Sequence, residues 1–390
     1  METPRVILHL DLDAFFCAVE EIKDPGLRGK AFAVGGSPSG RGVVTSCSYR
    51  ARKAGVRSAM PAAKALQLCP ELILVSRNHR DYGRYSKLVM ERLAKFTDQI
   101  EQISIDEAFL DITDLGSSPK AIGLKLQKTI LDELSLPNSV GIASNKLVAK
   151  IATDVGKMAH KGDGPPNAIT IVPTGEERSF LAPLPVNMLS GVGPKTKERL
   201  ERFNIHTIGD LAEYPDTELA ERFGKHGYDL SRRAKGIDKR GIVTERGIKS
   251  VSNERTFGKD LGRKSEVLKQ INRLAEQVSK RLINKDLRGK TIQIKLRWSD
   301  FTTITRQTTL SQTTNEFKVI QKNAAELLDQ VWQEGRKVRL IGVGVHNLDT
   351  EAHQLGLWDT DYQKNIKLKE TLKDIKGKYG ENVISKGIKK

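Results

Sequence analysis

The sequence predicts an α/β (α+β) fold of several domains, and three observations support this prediction. The chain has 390 residues, whereas a typical domain has about 100–200. Short apolar runs alternate with helical patterns up to residue 172. A second group of strand and helix patterns begins near residue 251, after a helical stretch.

The first part reads as one layered domain of strands and helices. Apolar runs bounded by glycine or charged residues predict strands at 5–12, 31–34, 42–45, 72–75, 100–105, 107–112, 139–143 and 168–172. Apolar residues three or four apart predict helices at 49–54, 62–68, 82–96, 123–134 and 146–155. Residues 157–166, rich in Gly, Pro and Lys, predict a loop.

Composition changes near Pro173, and short helical patterns up to Gly236 predict a small helical domain. Residues 237–248 lack a core pattern and are interpreted as a basic linker. Beyond the linker, strands are predicted at 251–257, 291–298, 302–310 and 339–345, with helices at 265–284 and 315–333.

Composition excludes several classes of protein. No apolar run reaches the roughly 18 residues of a membrane span. The N-terminus lacks the features of a signal peptide, so we expect a cytoplasmic protein. Three cysteines without metal-binding spacing support neither a disulfide framework nor a structural zinc site.

The positive charge is concentrated in one part of the chain. The formal net charge is +17, and residues 249–348 hold 20 Lys and Arg against 10 Asp and Glu. A scattered surplus would indicate only a solvated surface, whereas a domain-sized surplus favours a polyanionic partner. Nucleic acid is the leading candidate.

Two acidic clusters are flanked by apolar strand residues. One is Asp11-Leu12-Asp13 and the other is Ser104-Ile105-Asp106-Glu107. Burial of carboxylates costs several kcal/mol unless they are paired or bind a cation, so the pattern favours a metal site over exposed turn residues. All-oxygen ligands favour Mg²⁺ or Mn²⁺, and two such ions support nucleotidyl transfer.

With these motifs, the sequence resembles the Y-family translesion DNA polymerases, most closely the bacterial DNA polymerase IV branch, from about residue 5 to 358. The resembling stretches are 9–16, 46–56, 104–111 and 140–152. The resemblance implies that Asp11, Asp106 and Glu107 are catalytic carboxylates. They would hold two Mg²⁺ ions together with the Leu12 carbonyl, and Mn²⁺ is expected to substitute.

The resemblance also implies a right-handed polymerase architecture. The expected parts are a palm (1–10 and 78–175), fingers (11–77), a thumb with a helix-hairpin-helix (176–236), a linker (237–248), a little finger of βαβββαβ-like order (249–348) and a clamp-binding motif with a basic tail (349–390). That order contains one strand more than the four that the pattern predicts.

Several side chains are expected to bind the incoming dNTP. Tyr49 and Arg52 lie three apart on a predicted helix and can grip triphosphate oxygens together, with Ser46 as a further donor. Without the resemblance, a partly buried Tyr49 and a surface Arg52 would be the simpler interpretation. The resemblance implies that Phe16 is the steric gate that excludes ribonucleotides, although either Phe15 or Phe16 must belong to the core.

A lysine at Lys157 or Lys161 is expected to contact the triphosphate. The family pattern is interrupted here by an apparent insertion, which leaves both lysines as candidates. Lys157 is preferred because it ends the preceding helix in the expected register.

Two further motifs point to macromolecular partners. Gly191 and Gly193 precede a basic helix at 195–203 and predict a helix-hairpin-helix, whose backbone N–H groups and Lys195 would meet a DNA phosphate. Gln354, Leu355, Leu357 and Trp358 resemble the motif that docks bacterial polymerases on the sliding clamp. A strand fragment packed on the last domain is the alternative for this motif.

The sequence therefore predicts a template-directed DNA polymerase that uses primer-template DNA and dNTPs and bypasses damaged bases. It would have low fidelity and no proofreading, and would act as a monomer without a membrane. One alternative is a non-catalytic DNA-binding paralogue, but all three carboxylates are present. A helix-hairpin-helix glycosylase or nuclease would not explain the four resembling stretches.

Overall fold

The computed structural model describes residues 4–349 and Thr371. The chain divides between Gly247 and Ile248 into two compact units, called here the first and the second unit. Within the described residues, no helix combines the length and apolar character that a membrane crossing requires.

The first unit begins with an α/β part. Its strands are β1 (Ile7–Leu12), β2 (Phe32–Gly35), β3 (Val44–Cys47), β4 (Ile73–Ser76), β5 (Ile100–Gln102), β6 (Glu107–Asp111), β7 (Asn138–Ala143) and β8 (Ile169–Ile171). Its helices are α1 (Phe15–Lys23), α2 (Tyr49–Lys53), α3 (Ala62–Leu68), α4 (His79–Leu93), α5 (Pro119–Leu134) and α6 (Lys146–Ala159).

These strands form two sheets, a division that the strand pattern did not indicate. The larger sheet has the order β5-β6-β1-β7-β8, and the smaller has the order β3-β2-β4. In the larger sheet β1 pairs antiparallel with both β6 and β7, while β8 runs parallel to β7. The loops after β1 and before β6 therefore meet at one edge.

Alternation along β1 divides its side chains between two cores, because successive residues of a strand point to opposite faces. Leu8, Leu10 and Leu12 pack in the core that includes residues of α4 and α5. Ile7 packs on the opposite face with residues of α6. Asp11 shares the face of Ile7, so the strand period alone directs it toward α6.

Helices dominate the remainder of the first unit. They are α7 (Glu177–Leu181), α8 (Pro194–Glu201), α9 (Ile208–Glu213), α10 (Asp216–Phe223) and α11 (Lys225–Ala234). The predicted helix at 195–203 therefore begins one residue earlier and ends two residues earlier than expected. The short helices predicted between residues 173 and 236 are thus present.

The segment interpreted as a linker is attached to the first unit up to Arg246. The Val243 amide donates to the Glu101 carboxylate over 2.9 Å, and Arg246 also pairs with Glu101. The Leu147 amide donates to Asp238, 3.2 Å away. This segment therefore contacts the first unit through hydrogen bonds and an ion pair, although its sequence has no core pattern.

Between residues 248 and 349, the second unit is a four-stranded antiparallel sheet with two helices. Its elements are β9 (Ser250–Leu261), α12 (Lys264–Asn284), β10 (Arg288–Trp298), β11 (Thr303–Thr314), α13 (Phe317–Asp329) and β12 (Val338–Asp349), with the sheet order β11-β10-β12-β9. The order is βαββαβ, so the four strands predicted from the pattern are confirmed and the implied βαβββαβ-like order is one strand too long.

Candidate active site

The strand register places two of the predicted carboxylates side by side. In the β1–β6 pair, Asp11 lies directly opposite Glu107. Directly opposed residues of antiparallel strands share one face of the sheet, with Cα atoms about 4.5–5.5 Å apart. Asp106 immediately precedes β6, and its carbonyl accepts the Leu12 amide hydrogen over 3.0 Å. Asp11, Leu12, Asp106 and Glu107 therefore meet at one edge of the larger sheet.

Hydrogen bonds of the Ser104 hydroxyl and a sharp turn at Ala14 shape this edge. The Asp106 carboxylate accepts the Ser104 hydroxyl over 2.5 Å, and that hydroxyl oxygen accepts the Glu107 amide over 3.0 Å. On the other side, Ala14 adopts φ 46° between β1 and α1. A left-handed conformation is uncommon for a residue with a Cβ atom and is often found at functional sites. The chain therefore turns sharply just after the carboxylates.

The side chains on one face of α6 contact acidic and polar residues of β1, β5 and β6 along the length of the helix. Residues at intervals of four, three and four lie on one side of a helix. The pairs formed are Lys146 with Glu101 at 2.7 Å, Lys150 with Glu107 at 2.7 Å, Thr153 with His9 at 2.8 Å, and Lys157 with Asp11 at 2.5 Å. The helix thereby supplies cations to the carboxylates that the strands bring together.

The two opposed carboxyl groups have very different acidities. Burial raises the pKa of Asp11 to about 7, although the Lys157 ammonium opposes this shift. The His9 ring and the Lys150 ammonium lower the pKa of Glu107 to about 2. Burial alone would lower the pKa of Lys157, but Asp11 and Asp13 outweigh it and raise that pKa. Lys157 therefore remains a cation beside Asp11.

Asp13 has a role that the sequence interpretation missed. Its buried carboxylate accepts the Ser139 hydroxyl over 3.0 Å and the Asn167 amide over 3.0 Å. The Lys157 ammonium lies 3.1 Å from the same carboxylate. Asp13 thus provides a second carboxylate contact to Lys157. The Asp-Leu-Asp spacing hinted at such a pair, but no sequence signal linked Asp13 to Lys157.

The donor set suits hard divalent cations. Within residues 4–349, no three His, Cys, Asp or Glu side chains are close enough together to hold a metal ion, because the carboxylates instead contact Lys157, Lys150 and Ser104. The lysine ammonium groups show that positive charge is accommodated here. Asp11, Asp106 and Glu107 offer only oxygen ligands, which Mg²⁺ and Mn²⁺ prefer. These residues fit the predicted metal.

Three of the residues expected to bind the triphosphate lie on β3 of the smaller sheet and on α2, the helix that follows it. Tyr49 begins α2, and the Arg52 guanidinium lies 4.8 Å from its ring. Arg52 also donates to the Cys47 carbonyl over 3.2 Å. Burial and the negative charges of Asp13 and Asp11 raise the pKa of Tyr49, so its hydroxyl remains a hydrogen-bond donor. Ser46 is buried on β3 and accepts the Cys17 thiol over 3.5 Å.

The two neighbouring phenylalanines differ in environment. Phe15 is 2% exposed and belongs to the core. Phe16 is half-buried and stacks on the Tyr82 ring, with 4.3 Å between centroids and 19° between planes. The expectation that one of the two is a core residue is confirmed, and it is Phe15. The ring of Phe16 is held by a partner outside α1.

The structure separates the two candidate lysines. Lys157 lies in the last turn of α6 because the helix continues to Ala159, four residues beyond its predicted end. The predicted loop therefore begins at His160. Lys161 is exposed in that loop. Asp163, Gly164 and Pro165 of the same loop line a cavity of about 300 Å³ together with Asp13 and Tyr49.

The predicted helix-hairpin-helix residues are at the surface. Gly191 has φ 101°, a conformation that glycine adopts without strain, and the preceding Ser190 carbonyl accepts from Arg233 over 2.8 Å. Gly193 caps α8, which starts with Pro194. Lys195 is exposed in the first turn. The backbone N–H groups at this helix start are thus placed beside a basic side chain.

The second unit presents a polar sheet face, called here the outer face. α12 and α13 pack against the opposite face, where Ile292, Ile294, Ile341 and Val343 are buried. On the outer face β12 carries Gly342 and Gly344. The register places around them Ser252 and Glu254 on β9, Thr291, Gln293, Lys295 and Arg297 on β10, and Thr303, Thr305, Gln307 and Thr309 on β11.

The two glycines make a shallow strip along the outer face. A Cβ atom at Gly342 would lie 3.0 Å from the Glu254 Cβ, and one at Gly344 would lie 3.1 Å from the Ser252 Cβ. Larger residues would therefore displace their neighbours. The strip is flanked by hydroxyl, amide and cationic side chains, which are the groups that contact nucleic-acid backbones. The predicted clamp motif, Gln354 to Trp358, lies outside the described residues.

Three family profiles match successive parts of the chain. Residues 10–154 match the impB/mucB/samB family, and residues 248–357 match its C-terminal domain. Residues 187–238 match the profile described as the DNA polymerase iota thumb domain.

Proteins of similar sequence align with most of this chain and with nearly all of their own length. A DNA polymerase IV of Streptococcus gordonii is 38% identical over 88% of this chain and 97% of its own length. One of Listeria monocytogenes serotype 4a is 40% identical over 89% of this chain and 96% of its own length. A solved Y-family DNA polymerase chimera, Dbh-Dpo4(243-245)-Dbh, has a TM-score of 0.78 and 27% identity, and the alignment covers 89% of this chain and all of that one. This chain therefore belongs to the Y family of DNA polymerases, in its DNA polymerase IV branch.

Proposed function

We propose that this enzyme is a template-directed DNA polymerase of the translesion type that adds dNTPs to a primer 3′-hydroxyl. The observation that carries the proposal is the cross-strand pair of Asp11 and Glu107 beside Asp106, with Lys157 at the same edge. Three carboxylates next to a fixed cation match the needs of phosphoryl transfer, in which positioning and charge stabilisation supply most of the catalysis.

Asp11, Asp106 and Glu107, together with the Leu12 carbonyl, would hold two Mg²⁺ ions, and Mn²⁺ would substitute. When bound, the metal pair lowers the pKa of the attacking hydroxyl and neutralises charge on the leaving pyrophosphate. Asp11 must lose the Lys157 contact, or share it, when it becomes a ligand. Asp13 keeps a second contact to Lys157, so this ammonium would stay at the edge of the site.

The remaining residues of the site would bind and select the nucleotide. Lys157 and Arg52 would contact triphosphate oxygens, and Tyr49 and Ser46 would donate hydrogen bonds to them. The Phe16 ring, fixed on Tyr82, would occupy the space of a ribose 2′-hydroxyl and exclude ribonucleotides.

DNA would be held by contacts to its backbone. The helix start at Gly191 and Gly193, with Lys195 beside it, would bind a phosphate. The outer face of the second unit, in a region with ten excess positive charges, would bind further phosphates. Contacts to the phosphate backbone carry no direct sequence information, which suits an enzyme that copies any template.

We further propose the division into palm (1–10 and 78–175), fingers (11–77), thumb (176–236), linker (237–248) and little finger (249–348). The enzyme would act in the cytoplasm as a monomer, with low fidelity and without proofreading, and would bypass damaged bases. Gln354, Leu355, Leu357 and Trp358 would dock it on the sliding clamp through apolar anchors.

Primer extension by wild type and by Asp106→Ala tests the catalytic assignment. We expect the substitution to reduce extension by at least about a thousandfold while DNA binding persists, because a metal-ligand carboxylate is lost. Asp98→Ala is the matched control, since Asp98 is an exposed aspartate of the same unit. Extension by both wild type and Asp106→Ala would refute the metal site. Extension by neither would favour the non-catalytic DNA-binding alternative.

A further inference from the structure

An ion pair lies across the glycine strip of the second unit. Lys295 on β10 and Glu254 on β9 are both register partners of Gly342 on the strand between them. Because Gly342 has no side chain, the two long side chains meet above it, with 2.9 Å between the lysine Nζ and a carboxylate oxygen. The pair therefore spans the outer face at its middle.

Stability does not account for this pair. The Glu254 side chain is 51% exposed and the Lys295 side chain 37% exposed. Exposed ion pairs contribute about 0–1 kcal/mol to folding, because solvent screens the charges and ordering both side chains costs entropy. What the pair changes is the charge that the outer face presents to a partner.

A neighbouring cation on the same strand is held differently. Arg297 follows Lys295 by two residues, so both side chains point to the outer face. The Arg297 Nε donates to the hydroxyl of Thr303 over 2.8 Å, and this partner is neutral. Arg297 thus keeps its positive charge toward a partner, whereas the charge of Lys295 is offset by Glu254.

We infer that Glu254 is a built-in brake on DNA affinity, which holds Lys295 away from a phosphate and repels that phosphate. The inference rests on the proposed DNA contact by the outer face. A phosphate that binds Lys295 must displace the Glu254 carboxylate. The two negative charges then lie only a few ångströms apart. Binding is weakened by competition for the lysine and by repulsion. The consequence is faster release of DNA at unchanged fold stability.

The test compares three single substitutions in the full chain by fluorescence anisotropy with a labelled primer-template duplex. Glu254→Gln removes the negative charge and keeps the shape of the side chain. Glu276→Gln is the matched control: it makes the same charge change on α12, where Glu276 pairs with Lys280 at 2.7 Å. Lys295→Gln removes the cation. Titrations run from about 50 to 200 mM NaCl, where counterion release dominates the affinity.

We expect Glu254→Gln to bind about threefold to tenfold more tightly at the lowest salt. Its salt slope should steepen by up to about 0.9, the value for one additional phosphate contact. Glu276→Gln should stay within about twofold of wild type, because Glu276 lies on α12, which packs against the opposite face of the sheet. Lys295→Gln should weaken binding, and the gain from Glu254→Gln should disappear in the Glu254→Gln/Lys295→Gln double variant.

The outcomes show whether the brake fails alone or together with the proposed DNA contact. If Lys295→Gln weakens binding but Glu254→Gln binds like Glu276→Gln or more weakly, the brake is refuted and the contact stands. If Lys295→Gln has no effect, both the contact at this position and the brake fail. Equal tightening by Glu254→Gln and Glu276→Gln would show a general charge effect and would also refute the brake.

Discussion

Asp11 and Glu107 face each other across two strands, yet the pKa of one is raised and that of the other lowered. Burial raises the pKa of Asp11 despite the Lys157 ammonium, whereas the His9 ring, 3.8 Å from Glu107, and the Lys150 ammonium lower the pKa of Glu107. A site of this kind concentrates negative charge at Glu107 and leaves Asp11 dependent on a nearby cation. Lys157 provides that cation in this structure.

Ribonucleotide exclusion gives a prediction at the scale of one residue. The Phe16 ring is fixed by stacking on Tyr82, so its removal should open space for a 2′-hydroxyl. We expect Phe16→Ala to lower the dNTP to rNTP preference in kcat/KM by at least about a hundredfold, equivalent to about 3 kcal/mol. Single-nucleotide incorporation with matched dNTP and rNTP measures this ratio within one protein preparation.

The ratio separates selectivity from folding, because damage to the fold would lower both activities together. Phe16→Tyr keeps the ring and should keep the discrimination. Unchanged preference in Phe16→Ala would sink the steric-gate assignment.

Residue identities predicted the acids of the site but not all of their partners. The pattern indicated two acidic clusters, 11–13 and 106–107, because carboxylates flanked by apolar residues need a cation or a partner. The family resemblance then selected Asp11, Asp106 and Glu107 as the expected metal ligands. The roles of Asp13 and Lys150 depend on how α6 lies across the sheet, which is a tertiary contact. A lysine series at 146, 150 and 157, with helical spacing, was the available signal for that contact.

At the scale of elements, helix and strand types were predicted well and their ends less well. The prediction for α6 stopped at residue 155, just before Gly156, since glycine weakens a helical pattern. In the structure, Gly156 is helical and its position is close to Thr170 of β8, with no room for a side chain. Close packing against β8 thus requires glycine at this helical position. Because the helix continues past Gly156, Lys157 lies on α6 and contacts Asp11.

The segment after α11 shows how a buried charge can hold an irregular segment. Glu101 on β5 is 1% exposed and contacts Lys146, Arg246 and the Val243 amide. A buried carboxylate with three donors is satisfied, and loss of its charge would leave Lys146 buried without a partner. Arg246 therefore balances an acid of the sheet, in addition to any contact with DNA.

Limited trypsin digestion tests this attachment. We expect Glu101→Gln to increase cleavage after Lys239 and Arg240 by at least about tenfold, because local opening becomes cheaper by more than about 1.4 kcal/mol. Glu91→Gln, on the surface of α4, is the control with the same chemical change. Arg246→Gln should give a smaller increase, as it leaves Lys146 paired. Equal cleavage rates in Glu101→Gln and wild type would show that Glu101 does not hold the segment.

For the whole molecule, composition and pattern predicted several α/β and helical parts, and the structure has them. The split of the first part into two sheets was not predictable from periodicity. Strand patterns in β1 to β8 are alike, and sheet membership depends on which strands pair. The boundary at Gly247 falls within the predicted linker, whose basic charge and lack of a core pattern favour a connection.

The last prediction, the salt dependence of DNA binding, follows from the distribution of charge over the whole chain. The net charge of +17 includes ten excess positive charges between residues 249 and 348, while the candidate active site is acidic. Binding through phosphate contacts releases counterions, so each contact adds about 0.9 to the slope of log affinity against log salt. We expect affinity for a primer-template duplex to fall at least tenfold between about 50 and 200 mM NaCl. The slope should be the same for two duplexes of unrelated sequence. Affinity that is insensitive to salt, or that differs more than about tenfold between the duplexes, would contradict binding through the phosphate backbone.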